Sequence, residues 1–235
     1  LATQIEPGQP INLLGNLQIN EWNGNQSPQF IIQDIATNNE QILDYRSKRK
    51  QLNIDPNDTK VAFLIHPKKE KLNHNYYYYG DKIDQEHEVV ILRDLPNDLD
   101  SLKDSLKNLN YSQLYLVLQH QQSIYFDGMP TSNQFKSCFK ALMTKKETNL
   151  EQEGMLLCQH LNVKPNILKF MLKVFYELGF VTEENGIIKI VDNANKQNIE
   201  TSRVYQLRQS RMEVEKLLLY DDFTQLKTWI KSQKG

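Results

Sequence analysis

The 235-residue sequence predicts a mixed α/β protein. Three observations carry that expectation. Short, continuously apolar runs at 61–65, 89–92 and 114–118 mark strands buried on both faces, as in a parallel sheet. Between the last two, Leu99, Leu102, Leu106 and Leu109 follow amphipathic helical spacing, so 89–118 reads as a β-α-β unit of an open, mostly parallel sheet. Beyond Thr131 the pattern changes to successive helices and a short hairpin. The expected boundaries are therefore 1–45, 46–130 and 131–235.

In chain order, 11–22 and 27–35 read as two strands joined at Asn23-Gly24, the favoured type I′ turn pair, with Phe30 and Ile32 on one face. A lone two-stranded hairpin is barely stable, so it needs further strands or support from the downstream chain. The chain enters this strand soon after Leu1, which reads as part of a larger protein. Residues 41–50 are expected as a short helix or linker. Helices are expected over 133–146, 150–161 and 166–178, the last two separated by Asn162-Val163-Lys164-Pro165, with Gly179 as the C′ stop. Residues 180–191 form a hairpin turning at Asn185-Gly186. Helix, tight turn, helix, hairpin is the outline of a winged helix. The tail 200–234 reads as helical, with Leu207, Val214, Leu217 and Leu218 as its apolar stripe.

Net charge is −1, from 28 Lys and Arg against 29 acids, which excludes binding nucleic acid through a bulk positive field. No run of about eighteen apolar residues exists, so no membrane span is expected, and the first ten residues lack the basic start of a signal peptide. Cys138 and Cys158 fall in helical segments and suggest no disulfide framework, so a reducing cytoplasm is expected. The near-zero total hides blocks: −5 over 1–45, +5 over 46–71, −4 over 81–110 and +4 over 131–173. Partners within a Debye length of about 10 Å respond to such blocks rather than to the total.

Catalytic motifs are absent. His66, His74, His87, His120 and His160 share no metal-ligand spacing, and there is no Cys-x-x-Cys, Gly-rich phosphate loop or nucleophile elbow. Asp81, Asp84, Glu86 and His87 read as a solvated loop. The chain is thus expected to carry no catalytic residue, metal or small-molecule ligand of its own, although a ligand of the sheet would sit beyond its strand ends near His66, Arg93 and Gln119. Nucleic-acid candidates are more specific. Lys68, Lys69 and Lys71 adjoin Tyr76, Tyr77, Tyr78 and Tyr79, and cations beside aromatics grip single strands by charge and stacking. The bland alternative is a strand with two tyrosines buried and two exposed. Lys164, Lys169 and Lys173 surround the second helix of the winged-helix outline, with Lys189 in the wing. That helix is so apolar that a packed helix with a solvated lysine edge is the competing reading. Trp22 and Asn23 at the first hairpin tip could stack on a base, against the −5 field of their block.

Ile19-Asn-Glu-Trp-Asn-Gly24 with Gln29 to Ile35 resembles the closing strands of the OB domain in the RecJ family of single-strand-specific 5′→3′ DNA exonucleases. Tyr125-Phe-Asp-Gly128, Gln134-Phe135 and Leu168-Lys-Phe-Met-Leu-Lys-Val-Phe-Tyr-Glu-Leu-Gly-Phe-Val181 are similar to the extra C-terminal domain of that family in low-GC Gram-positive bacteria. The resemblance implies that 1–45 is the closing part of an OB domain, beside the α/β domain over 46–130 and the winged-helix-like domain over 131–235 read from the pattern above. It also implies an accessory role in recombination and repair, with single-stranded DNA as partner and Mn²⁺ or Mg²⁺ held in a catalytic core elsewhere. The alternative is a docking module for a helicase or a single-strand-binding protein.

Overall fold

The computed structural model describes residues 10–36, 40–47, 52–107 and 109–234. They form two compact units, one from the described residues up to 96, 100–120 and 221 onward, the other from 97–99 and 121–220.

In the first unit, strands β1 (Asn12–Trp22) and β2 (Asn25–Ala36) pair antiparallel. Asn23 and Gly24 between them have φ of 51° and 76°, as a type I′ turn requires. The register shifts at Leu14/Gly15. A Cβ on Gly15 would lie 2.2 Å from the Ile31 carbonyl oxygen, so the irregularity depends on glycine. Both faces of this hairpin are open: Leu17 is 75% exposed, Ile19 72% and Trp22 76%.

The main sheet contains β3 (Gln41–Asp44), β4 (Val61–Ile65), β5 (Tyr76–Tyr78), β6 (Val89–Asp94) and β7 (Gln113–Gln119) in the order β3-β7-β6-β4-β5. Every pairing is parallel. The three apolar runs of the sequence are its three central strands. Val61, Phe63 and Ile65 pack on one face with Tyr76, Ile91 and Tyr115, while Leu64, Leu92, Leu114 and Leu116 are buried on the other. Each such side chain contributes about 1.5–3 kcal/mol on burial. Helix α1 (Leu99–Lys107) makes the crossover from β6 to β7 and buries Leu102 and Leu106.

The expectation of a helix or linker at 41–50 is corrected over its described part. Gln41–Asp44 is an edge strand whose Ile42 and Leu43 are buried against the sheet; residues 48–50 lie outside the described set. Four residues are too few for a periodic signal, and only pairing with β7 distinguishes this strand.

The second unit begins with α2 (Ser132–Lys145), whose Thr131 and Gln134 form a reciprocal capping box. Then come β8 (Glu147–Asn149), α3 (Leu150–Leu161) and α4 (Pro165–Glu177), with Pro165 in the first helical turn. Gly179, at φ 70°, ends α4. The Phe180 amide donates to the Phe175 carbonyl (2.9 Å) and the Gly179 amide to Tyr176 (3.0 Å), the paired bonds of a Schellman stop. Strands β9 (Val181–Glu184) and β10 (Ile187–Ile190) turn at Asn185 and Gly186, both at positive φ. The antiparallel order is β8-β10-β9. The three-residue β8, which no sequence pattern announced, completes the winged-helix topology. Its core gathers Phe135, Cys138, Leu142, Cys158, Met171, Val174 and Phe175. Both cysteines are free, and burial, with the neighbouring Cys158 thiol, pushes the Cys138 thiol up to about 12.

Helix α5 (Arg203–Glu215) passes into a π-helical turn over Lys216–Tyr220. Val214 and Leu218 of the expected stripe are buried, but Leu207 is exposed. At its start α5 meets the core instead through Val204 and Tyr205, and through Arg208 over the Phe170 ring. Helix α6 (Phe223–Ser232) belongs to the first unit and buries Leu226 and Ile230. Among the described residues no helix is long and apolar enough to cross a membrane.

Candidate nucleic-acid interface

Ion pairing distinguishes the two basic stretches. In the first unit the +5 block meets the −4 block. Lys60 pairs with Glu88 (2.8 Å), Lys69 with Asp94 (2.6 Å) and Lys71 with Asp81 (2.6 Å), while Arg46 holds Asp44 with two bonds. Lys68 is exposed and carries no ion pair among the described residues. Lys48, Arg49 and Lys50 lie outside the described set. Phosphate would therefore have to displace carboxylates from most of the described cations here.

The tyrosine run is likewise committed. Tyr76 is buried, stacked on Phe63 (ring centroids 4.7 Å apart) and bonded through its hydroxyl to Arg93 (3.1 Å). Tyr79 is buried with its hydroxyl on the Asp94 carbonyl (2.6 Å). Tyr77 and Tyr78 are half-buried; Tyr77 meets His87 Nε2 (3.2 Å), and Tyr78 donates to the Lys69 carbonyl (3.1 Å). The adjacency of cation and ring exists, since Lys71 Nζ lies 4.3 Å from the Tyr78 ring centroid, but it is internal. Tyr76 and Tyr79 cannot stack on a base while the strand is formed. His87, expected in a solvated loop, is buried between Tyr77 and the Thr59 carbonyl, and burial lowers its pKa. Asp81 of that loop is half-buried on Lys71 and the Tyr78 amide. Asp84 and Glu86 are exposed, as expected.

Strand order reverses between β4 and β6, where ligands of open α/β sheets bind. There the buried Asp94 carboxylate takes Lys69 and the His66 amide, closing the crevice with a satisfied pair. Asp94→Ala leaves both donors without their acceptor. It should cost about 1–3 kcal/mol, read as a lower denaturation midpoint of the first unit.

The winged helix keeps part of its charge, on Lys169 and Lys173. Lys164 caps α4 and pairs with Asp127 (2.7 Å). Lys169 and Lys173 are exposed, one turn apart, and form no ion pair among the described residues. With Asn166 and the exposed Tyr176 they make a polar stripe on an otherwise buried helix. Wing residue Lys189 pairs with Glu147 (3.5 Å). Trp22 and Asn23 stand exposed at the hairpin tip. In the same unit as the stripe, Phe135, Phe139, Phe175, Phe180 and Ile190 line an apolar cavity of about 670 Å³, with Lys136 and Lys196 also at its wall. Among the described residues no group of three or more His, Cys, Asp or Glu could hold a metal ion.

Topology defines the class: a mixed α/β chain that contains a parallel five-stranded sheet and a winged helix. The chain belongs to the family described as single-strand DNA-specific exonuclease, C terminal domain, whose model matches residues 41–230. It is 28% identical over 247 residues to the single-stranded-DNA-specific exonuclease RecJ of Bacillus subtilis (strain 168), an alignment covering 98% of this chain and 31% of that protein. The chain thus spans about a third of its relative's length. No solved structure matches it.

Proposed function

We propose that this chain is the accessory C-terminal region of a cytoplasmic 5′→3′ single-stranded-DNA exonuclease of recombination and repair, and that its winged helix helps to hold the strand. Family membership supports the parent activity. The observation that carries the local role is the unpaired Lys169 and Lys173 edge of α4. Lysines free of carboxylates can release counterions from a phosphate backbone; those already paired gain little. The segments 1–45, 46–130 and 131–235 then correspond to the end of an OB domain, an α/β domain and a winged-helix domain, except that 121–130 packs with the winged-helix unit and 221 onward with the first unit. The two open faces of the β1-β2 hairpin fit strands that need the rest of a barrel to cover them. Hydrolysis, with its Mn²⁺ or Mg²⁺, belongs to the remainder of the parent protein.

Fluorescence anisotropy with a single-stranded oligonucleotide at two salt concentrations tests this reading. Binding should weaken with salt, and Lys169→Glu with Lys173→Glu should lower affinity on the order of tenfold while flattening the log–log salt slope by about 1.4. No binding at low salt would overturn it.

A second reading rests on the 670 Å³ apolar cavity, which fits an inserted apolar side chain of a helicase or single-strand-binding protein. Met143→Glu at its wall would then abolish capture of that partner and leave oligonucleotide binding unchanged.

A further inference from the structure

We infer that Tyr125, Phe126 and Tyr220 form a base-stacking platform for single-stranded DNA on the winged-helix unit. The inference rests on the strand-holding reading above and names a second contact for it, separate from the lysine edge. The three rings form one cluster. Tyr125 stacks on Tyr220 (centroids 5.0 Å, interplanar angle 25°), while Phe126 meets Tyr220 at 4.7 Å and Tyr125 at 5.3 Å, edge to face. Phe126 is nevertheless 74% exposed and Tyr220 38% exposed.

An exposed aromatic on a loose loop would carry no argument. This one is fixed on three sides. The buried carboxylate of Glu215 accepts the Ser123 hydroxyl (2.7 Å) and the Ile124 and Tyr125 amides (2.8 and 3.0 Å). Arg208 donates twice to the Gly128 carbonyl (3.2 and 2.9 Å). Asp127 accepts Lys164 (2.7 Å) and Asn166, tying the turn to the start of α4. The third ring reaches the cluster from the π-helical turn Lys216–Tyr220, a distortion that recurs at functional sites. A buried carboxylate, the Arg208 guanidinium and an irregular helix thus hold in place a short turn whose outermost product is an exposed ring.

The surroundings select the occupant. Lys216 is exposed four residues before Tyr220 and unpaired among the described residues. From the Asn166 anchor, Lys169 and Lys173 follow along α4 over about 10 Å, at 1.5 Å rise per residue. Asp127 of the turn and Glu215 of α5, which holds it, are paired with Lys164 and Arg211. Flat rings bordered by free cations suit unpaired bases and their phosphates, because every base has a π-face.

The test uses this 235-residue chain and an oligonucleotide carrying 2-aminopurine. Wild type should quench the 2-aminopurine emission on binding. Phe126→Ala should relieve the quench and weaken binding on the order of tenfold with an unchanged melting temperature, while Phe126→Trp should restore both signals. An abasic oligonucleotide should bind wild type and Phe126→Ala alike. Equal affinity and quench in wild type and Phe126→Ala, with binding still lowered by the Lys169 and Lys173 reversals, would overturn the platform and leave the strand-holding reading standing. No binding by wild type even at low salt would remove both.

Discussion

Phe175→Ala should lower the stability of the winged-helix unit by about 3–5 kcal/mol, the range for emptying a buried aromatic site. Phe175 is buried at the centre of a ring cluster, 5.7 Å from Phe135, 5.5 Å from Phe139 and 6.2 Å from Phe180 by centroids. Those partners come from α2 and from the residue that closes the α4 stop, so no single helix can collapse to refill the space. The loss corresponds to a melting midpoint lower by about 12 °C or more for a unit of this size, measurable by calorimetry. A drop of only a few degrees would show that the adjoining 670 Å³ cavity lets the site relax.

Glu215→Ala should be comparably severe, about 3 kcal/mol or more, because it removes the buried acceptor of the partly exposed Arg211 (2.7 Å) and of three further half-buried donors. Burial alone pushes the Glu215 carboxyl up. The Ser123 hydroxyl, Arg211 and the Ile124 amide outweigh this and hold it below its ordinary value. Its folded pKa is thus the lower one, so its contribution is complete above the unfolded value near 4.5 and is lost as pH falls through the folded pKa. Glu215→Gln can still accept from the turn but loses the Arg211 pair. Its stability deficit against wild type should therefore shrink as pH is taken below about 4.5. A deficit constant from pH 7 to 3 would show that the charge is not what holds the turn. The same variants bear on the platform, since Glu215 fixes the turn that carries Phe126.

Much of the fold was legible locally. The three apolar runs became the central strands because a strand buried on both faces leaves no polar alternation to hide it. Asn23-Gly24, Asn185-Gly186 and Gly179 turned the chain where expected, since positive φ is cheap only for such residues. Gln41–Asp44 and Glu147–Asn149 escaped notice because three or four residues show no period, and each is a strand only by virtue of its neighbour. Leu207 misled because spacing alone cannot tell which side of a helix has a core to meet.

The candidate site divides in the same way. Composition identified the basic and aromatic stretches, while the family resemblance rested on other segments, Ile19 to Gly24 and Leu168 to Val181 among them. Whether a lysine is available to phosphate depended on carboxylates brought to it through space: Glu88 to Lys60, Asp94 to Lys69 and Asp81 to Lys71, each far along the chain or across a turn. Lys169 and Lys173 met no such partner among the described residues. The stacked Phe126 turn depended on Glu215, about ninety residues away. Sequence by itself determined the elements that are settled within a few residues, because caps, turns and apolar runs act through adjacent atoms. Tertiary structure alone decided which charges cancel and which rings remain open, because Coulomb attraction and burial depend on distance in space rather than along the chain.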